Sequence, residues 1–146
     1  MNAFRSLAAG CAFAAGLAAS AAMAAETNFV GEWTGTSSSV VIGAGTHFSD
    51  STGTAEAPFL SEKAFVLEIV GQKGQRVWGK LKSADFAEPI VFVVSNDGKQ
   101  IHGANSDGVV SGTVVDADTI DLIYTQPGSD PTHITVAGET TYKRKK

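Results

Sequence analysis

From Phe29 onwards the chain breaks into short runs of alternating apolar and polar residues. Gly, Asn, Asp and Pro separate the runs at spacings of about ten residues. No segment of helical period is long enough to compete, so the pattern restricts the fold to an all-β barrel or sandwich. The clearest unit is residues 64–83, AFVLEIVGQKGQRVWGKLKS. Phe65, Leu67 and Ile69 alternate with Val66, Glu68 and Val70, and Gly74 supplies the left-handed residue that a tight turn needs. A three-residue loop, Gln72-Lys73-Gly74, is expected to pair Ile69 with Val77, Leu67 with Gly79 and Phe65 with Leu81. One face of this hairpin is then apolar throughout. Glu68 and Trp78 would pair across the other face, beside Val66 and Val70.

The remaining runs repeat the theme. A first strand runs from Phe29 to Thr36, with Phe29, Gly31, Trp33 and Gly35 on one side. Ser39 to Ile42 reads as a short second piece, followed by a long loop at about residues 43–60 that carries His47 and Phe48. A connection of that length is uncommon in a compact domain and is often a binding loop or lid. Residues 90–94, IVFVV, are apolar on both faces and are expected to be covered on both. Asn96-Asp97-Gly98 and Asn105-Ser106-Asp107-Gly108 are turn sequences. In the strand 119–125, Ile120, Leu122 and Tyr124 alternate with Asp121, Ile123 and Thr125. The last strand, residues 132–143, carries Ile134, Val136, Gly138, Thr140 and Tyr142 on one face. Nearly every link is a tight hairpin, which favours an antiparallel up-and-down meander barrel of about eight strands over a Greek key. An interior of that size is either filled by side chains or holds one small ligand.

Gly31-x-Trp33 opening such a meander resembles the lipocalin and avidin group of β-barrels, calycin-type folds in which the tryptophan plugs the closed end. The resemblance rests on these residues and on the strand pattern. The avidin sequence that follows the tryptophan is replaced by Thr34-Gly35-Thr36-Ser37, so biotin binding is not implied. The Thr-Asp-Tyr and arginine motifs of lipocalins are not found.

The chain begins with an expected address. One basic residue, Arg5, precedes an uncharged Ala/Leu/Gly run that ends in Ala22-Met23-Ala24, the pattern of a signal peptide over residues 1–24 with cleavage near Ala24 or Ala25. The run is rich in alanine and lacks a basic stop signal, so no transmembrane segment is expected in the mature chain. Cys11 follows Leu-Ala-Ala-Gly, but the apolar run continues past it, and it reads as a signal-peptide residue and not a lipidation site. The expected location is periplasmic or secreted. Residues 25–146 then form a single β-barrel domain of about 120 residues, large enough for a core without disulfides.

Charge narrows the partners. The chain has 11 Lys and Arg against 15 Asp and Glu. Arg5 and the basic C-terminal tail 143–146 account for five of those 11 bases, leaving six against 15 acids in the body. Nucleic acid, which selects a basic face, is not an expected partner.

Catalytic chemistry is thin. His47, His102 and His133 lie on separate segments without metal-site spacing, so no metal is expected. Asp116-x-Asp118 and Asn105-x-Asp107 are fragments of calcium loops without the remaining ligands and read as turn acids. No nucleophile motif occurs and no cofactor is implied. A hydrolase would require strand acids such as Glu32 and Glu68 to converge in a cleft. The leading expectation is a non-catalytic barrel that binds a small apolar ligand, with Trp33 closing one end, His47 and Phe48 covering the other, and Tyr124 and Tyr142 on the wall. The alternative is an envelope interaction module with a filled interior, presenting Val66, Val70 and Trp78 outward.

Overall fold

The computed structural model describes residues 27–45, 47–128 and 134–146. Residues 1–24, where a signal peptide is expected, and Cys11, Ala25 and His133 lie outside the described residues. Eight strands follow one another: β1 (Gly31–Ile42), β2 (Phe59–Lys73), β3 (Arg76–Lys82), β4 (Ala87–Val94), β5 (Gln100–Ala104), β6 (Val109–Asp116), β7 (Thr119–Gln126) and β8 (Thr135–Arg144). Each pairs antiparallel with the next, and β8 returns to β1 to close the barrel. The two expected pieces of the first strand are one continuous β1, because Thr36 to Ser39 keep their ladder with β2 and Ser37 to Ser39 pair with β8 as well.

Period-two alternation sorts the side chains. Phe29, Trp33, Leu67, Ile69, Val77, Ile90, Phe92, Ile101, Ile120 and Leu122 fill the interior; Val136, Gly138, Thr140 and Tyr142 face inward from β8, and Ile134, just before it, is buried too. A second, smaller cluster of Val41, Ile134 and Val136 packs with Phe48 and Tyr124. The apolar face is therefore the inner one, the reverse of a lipid-facing barrel, whose strands alternate apolar-out and polar-in. Among the described residues no helix is long and apolar enough to cross a membrane.

The hairpin register differs from the expectation. Lys73 pairs with Arg76 around a two-residue turn, Gly74-Gln75, and the ladder runs Ile69 to Gly79 and Leu67 to Leu81. A bulge at Val70 takes up the odd residue, since Ile69 opposes Gly79 whereas Gly71 opposes Trp78. Gly74 has φ 59°, the left-handed conformation the turn requires. The register below the bulge is displaced by two residues, an even number, so every side chain keeps its expected face. Glu68 consequently pairs with Lys80, not Trp78. Gly71 is glycine because the Trp78 ring lies against it: a Cβ there would sit 2.3 Å from Cζ2.

A second correction concerns β4. Val91 and Val93 are 56% and 49% exposed, although they were expected to be covered. A closed barrel of one sheet has only an interior to offer, and Ile90, Phe92 and Val94 occupy it.

Candidate functional site

In a meander barrel alternate connections share an end. The β2–β3, β4–β5 and β6–β7 turns therefore lie with the chain termini, and the β1–β2, β3–β4 and β5–β6 connections lie opposite.

The first end is shut. Trp33 is fully buried, its Nε1 donates to the carbonyl oxygen of Phe29 at 2.9 Å, and the Phe29 ring stacks on it with centroids 6.2 Å apart. Gln72 holds the incoming segment, accepting from the Phe29 N–H at 2.8 Å and donating to the Thr27 carbonyl at 3.0 Å. Arg144 lies across the tryptophan, its guanidinium carbon 4.1 Å from the ring centroid. It donates to the carbonyls of Val30 at 3.0 Å and Ala117 at 3.1 Å, and to Asp118 Oδ1 at 3.0 Å. An arginine packed on the tryptophan was not expected from the sequence, because Arg144 is hidden in a run of four bases that reads as a solvated tail.

The second end holds a cavity of about 70 Å³. It lies where the Trp33 core gives way to the smaller cluster around Val41, and the reason is visible in β1 and β8. Beyond Trp33 the inward positions of β1 are Gly35, Ser37 and Ser39, and those of β8 are Gly138 and Thr140, so volume is missing from the middle of the barrel. Ser37, Ser39 and Thr140 line the space together with Tyr142, and Ser37 and Ser39 share a hydrogen bond of 3.0 Å. Phe65, Leu81, Tyr124 and Val136 supply apolar wall.

The long connection roofs it. Residues 43–45 and 47–58 are tied together by Gly43 N–H to Gly53 O at 2.9 Å, Phe48 N–H to Gly45 O at 3.0 Å and Ser51 N–H to Phe48 O at 3.1 Å. Phe48 reaches the Val41 cluster, and His47 extends to the neighbouring connections. Its ring meets Phe86 edge-on at 4.8 Å, and its Nε2 lies 3.2 Å from Asp107 Oδ2 and 3.8 Å from Glu88 Oε2. Glu88 is held in turn by the Asn105 amide at 2.9 Å and the Ser106 hydroxyl at 3.0 Å.

His47, Phe48, Tyr124 and Tyr142 thus border one cavity, with Trp33 at the closed end. Sequence reading missed Ser37, Ser39, Phe86, Glu88 and Asp107. The serines could have been found by following Trp33's face two residues at a time. The others share an end because alternate links of a meander do, but only folded geometry brings them to His47. Trp78 and Val70 point outward and Val66 is half-buried. They do not form one patch: Val66 opposes Thr34 and Lys82, whereas Trp78 opposes Gly71 and Val91. Glu32 and Glu68 are direct cross-strand partners on the outer surface, each with its own lysine, Lys145 and Lys82. The Lys145 hydrogen bond and charge hold the Glu32 carboxyl below its ordinary range, the opposite of what a general acid needs.

Burial raises both tyrosines. Tyr124 is pushed up to about 12, with the Glu88 and Asp107 carboxylates adding to the effect, and Tyr142, more deeply buried, is raised further. Both phenols are donors at neutral pH. A raised folded value means their contribution is intact below the unfolded tyrosine pKa of about 10 and is lost as pH rises through the folded value. Urea denaturation between pH 9 and 12 should show stability falling above about pH 10. Tyr142→Phe should make that fall shallower; an unchanged slope would place the titration elsewhere.

Fold and site together define a closed eight-stranded antiparallel meander barrel, compatible with a calycin-like barrel, plugged at one end and roofed at the other. No protein family, curated protein or solved structure matches the chain.

Proposed function

We propose that this chain is an exported, calycin-like binding protein that takes one small, mainly apolar molecule into the roofed cavity. The observation that carries the reading is the unfilled interior between two apolar clusters, where β1 and β8 place hydroxyls instead of bulk. Aromatic and aliphatic wall would take the apolar body of the ligand. Ser39, Thr140 and the phenols of Tyr124 and Tyr142 would receive one polar group. Size bounds the ligand. At about 30 Å³ per water in the liquid, about 70 Å³ accommodates a group the size of only a few waters. Drug-sized ligands need sites of about 300–1,000 Å³, so any such ligand requires the 43–58 connection to lift.

Native mass spectrometry of the protein, purified gently from its own envelope fraction, tests this. A bound mass lost on denaturation is the expected result, and Ser39→Leu, which fills the cavity, should abolish it while the barrel stays folded. A clean apo mass in both proteins overturns the reading. The same spectrum shows whether the chain starts near Ala25.

A second reading is favoured by the outer surface, where Val70, Trp78, Val91 and Val93 are 43–56% exposed around the β2–β4 face. An envelope protein docking there would appear as a complex lost in Trp78→Lys, with the cavity playing no part.

A further inference from the structure

We propose that His47, Glu88 and Asp107 form a divalent transition-metal site that ties the roof to the barrel. His47 and Glu88 also line the cavity described above, but the metal site does not require a ligand there.

The three side chains arrive from separate segments: His47 from the β1–β2 connection, Glu88 from the start of β4 and Asp107 from the β5–β6 turn. One ligand atom from each lies within 4.8 Å of the other two. A tetrahedral ion with metal–ligand bonds of about 2.1 Å sets its ligand atoms about 3.4 Å apart. The imidazole Nε2 stands 3.2 Å from Asp107 and 3.8 Å from Glu88, on either side of that spacing. A zinc-sized ion is therefore accommodated by small side-chain shifts.

The charges at the site also favour a cation. A neutral imidazole Nε2 carries at most one proton, and Asp107 is the acceptor within reach of it. Glu88 stands at 3.8 Å from the same nitrogen, its oxygens already accepting from Asn105 and Ser106, so two carboxylates are turned toward one imidazole. A cation among the three would offset the negative charge that the two carboxylates bring together. Lys63, which lines the same cavity, is directed to Asp85 at 3.5 Å and lies over the Phe86 ring.

The surroundings orient the ligands as outer-shell groups do at metal centres. Phe86 fixes the plane of the His47 ring. Asn105 accepts the backbone N–H groups of Asp107 and Gly108 through Oδ1, at 3.1 and 2.8 Å. Its amide nitrogen is thereby turned to Glu88, which it holds at 2.9 Å. One imidazole with two carboxylates is a donor set for Zn²⁺ or a similar borderline ion. It is too small for Ca²⁺, which takes six to eight oxygens, and it lacks the thiolates that select Cu(I).

The test is titration of the chelator-treated, tag-free exported chain with ZnCl₂, followed by calorimetry and thermal melting. Co²⁺ is added separately to report tetrahedral coordination by visible absorption. One equivalent of Zn²⁺ should bind and raise the melting temperature. His47→Ala and Asp107→Asn should each weaken binding at least tenfold and remove the Co²⁺ bands, Asn105→Ala should weaken it about tenfold, and His102→Ala should change nothing. Asp107 is exposed, so Asp107→Asn keeps the test valid should His47→Ala not fold. Absence of saturable one-to-one binding overturns the proposal, as does binding that survives both His47→Ala and Asp107→Asn. Neither result depends on whether the cavity holds a ligand.

Discussion

Replacing Trp33 with alanine should cost about 3–5 kcal/mol and lower the melting temperature by roughly 10–20 °C. The indole is fully buried and touches the segment before β1, the core and the last strand at once. Its removal leaves a void that the closed ladder cannot collapse to fill, because β1 is held by hydrogen bonds on both sides. It also strips the Phe29 carbonyl of its indole donor and Arg144 of the surface beneath it. Trp33→Phe separates these effects. It keeps an apolar ring but forfeits the hydrogen bond, and should cost clearly less than the alanine variant. Equilibrium urea denaturation of the two variants is the measurement; equal losses would mean that bulk plays no part.

Arg144→Ala is expected to be the next most damaging change, at about 2–3 kcal/mol. Its guanidinium ties two stretches that have no strand pairing of their own, the entry at Asn28 to Val30 and the β6–β7 turn at Ala117 and Asp118, to the indole face of Trp33. Truncation leaves those carbonyls to find water at a half-covered site and exposes the tryptophan. Arg144→Lys should recover little, since an ammonium can neither lie flat on the ring nor serve several acceptors in a plane. Lys145→Ala is the control. Its ion pair with Glu32 is an exposed contact, screened by solvent, and its loss should barely move the denaturation curve. If Arg144→Ala and Lys145→Ala prove equally mild by urea denaturation, the plugged end does not depend on the arginine.

These two residues show how unevenly the chain can be read. Trp33 announces itself, because a large aromatic between glycines on the apolar face of a strand has few places to go but a barrel interior. Arg144 does not. Its neighbours Lys143, Lys145 and Lys146 are surface bases, and linear sequence offers no means of telling which member of such a run turns back onto the barrel. The same contrast divides the other end. Phe48, Tyr124 and Tyr142 were legible as cavity residues from parity and loop length. Glu88 and Asp107 read as ordinary acids beside turns, and their meeting with His47 depends on three connections converging in space.

The hairpin of β2 and β3 marks the boundary between the two kinds of knowledge. Local alternation set which side chains face inward, and that survived a wrong loop length, because the displacement was even and a pleated strand repeats every two residues. The bulge at Val70, the two-residue turn and the packing of Trp78 against Gly71 depended on fitting two strands together.

The sequence alone determined an all-β meander, its approximate strand number, the inward face of nearly every strand and the tryptophan that fills one end. These follow from a period of two and from turn residues, both of which act over a few neighbours. Tertiary structure decided that Val91 and Val93 stay exposed, that small residues on β1 and β8 leave a cavity, that Arg144 seals the far end, and that His47 meets two carboxylates. Each of those depends on barrel closure, which brings residues about a hundred positions apart into contact and which no short-range pattern encodes.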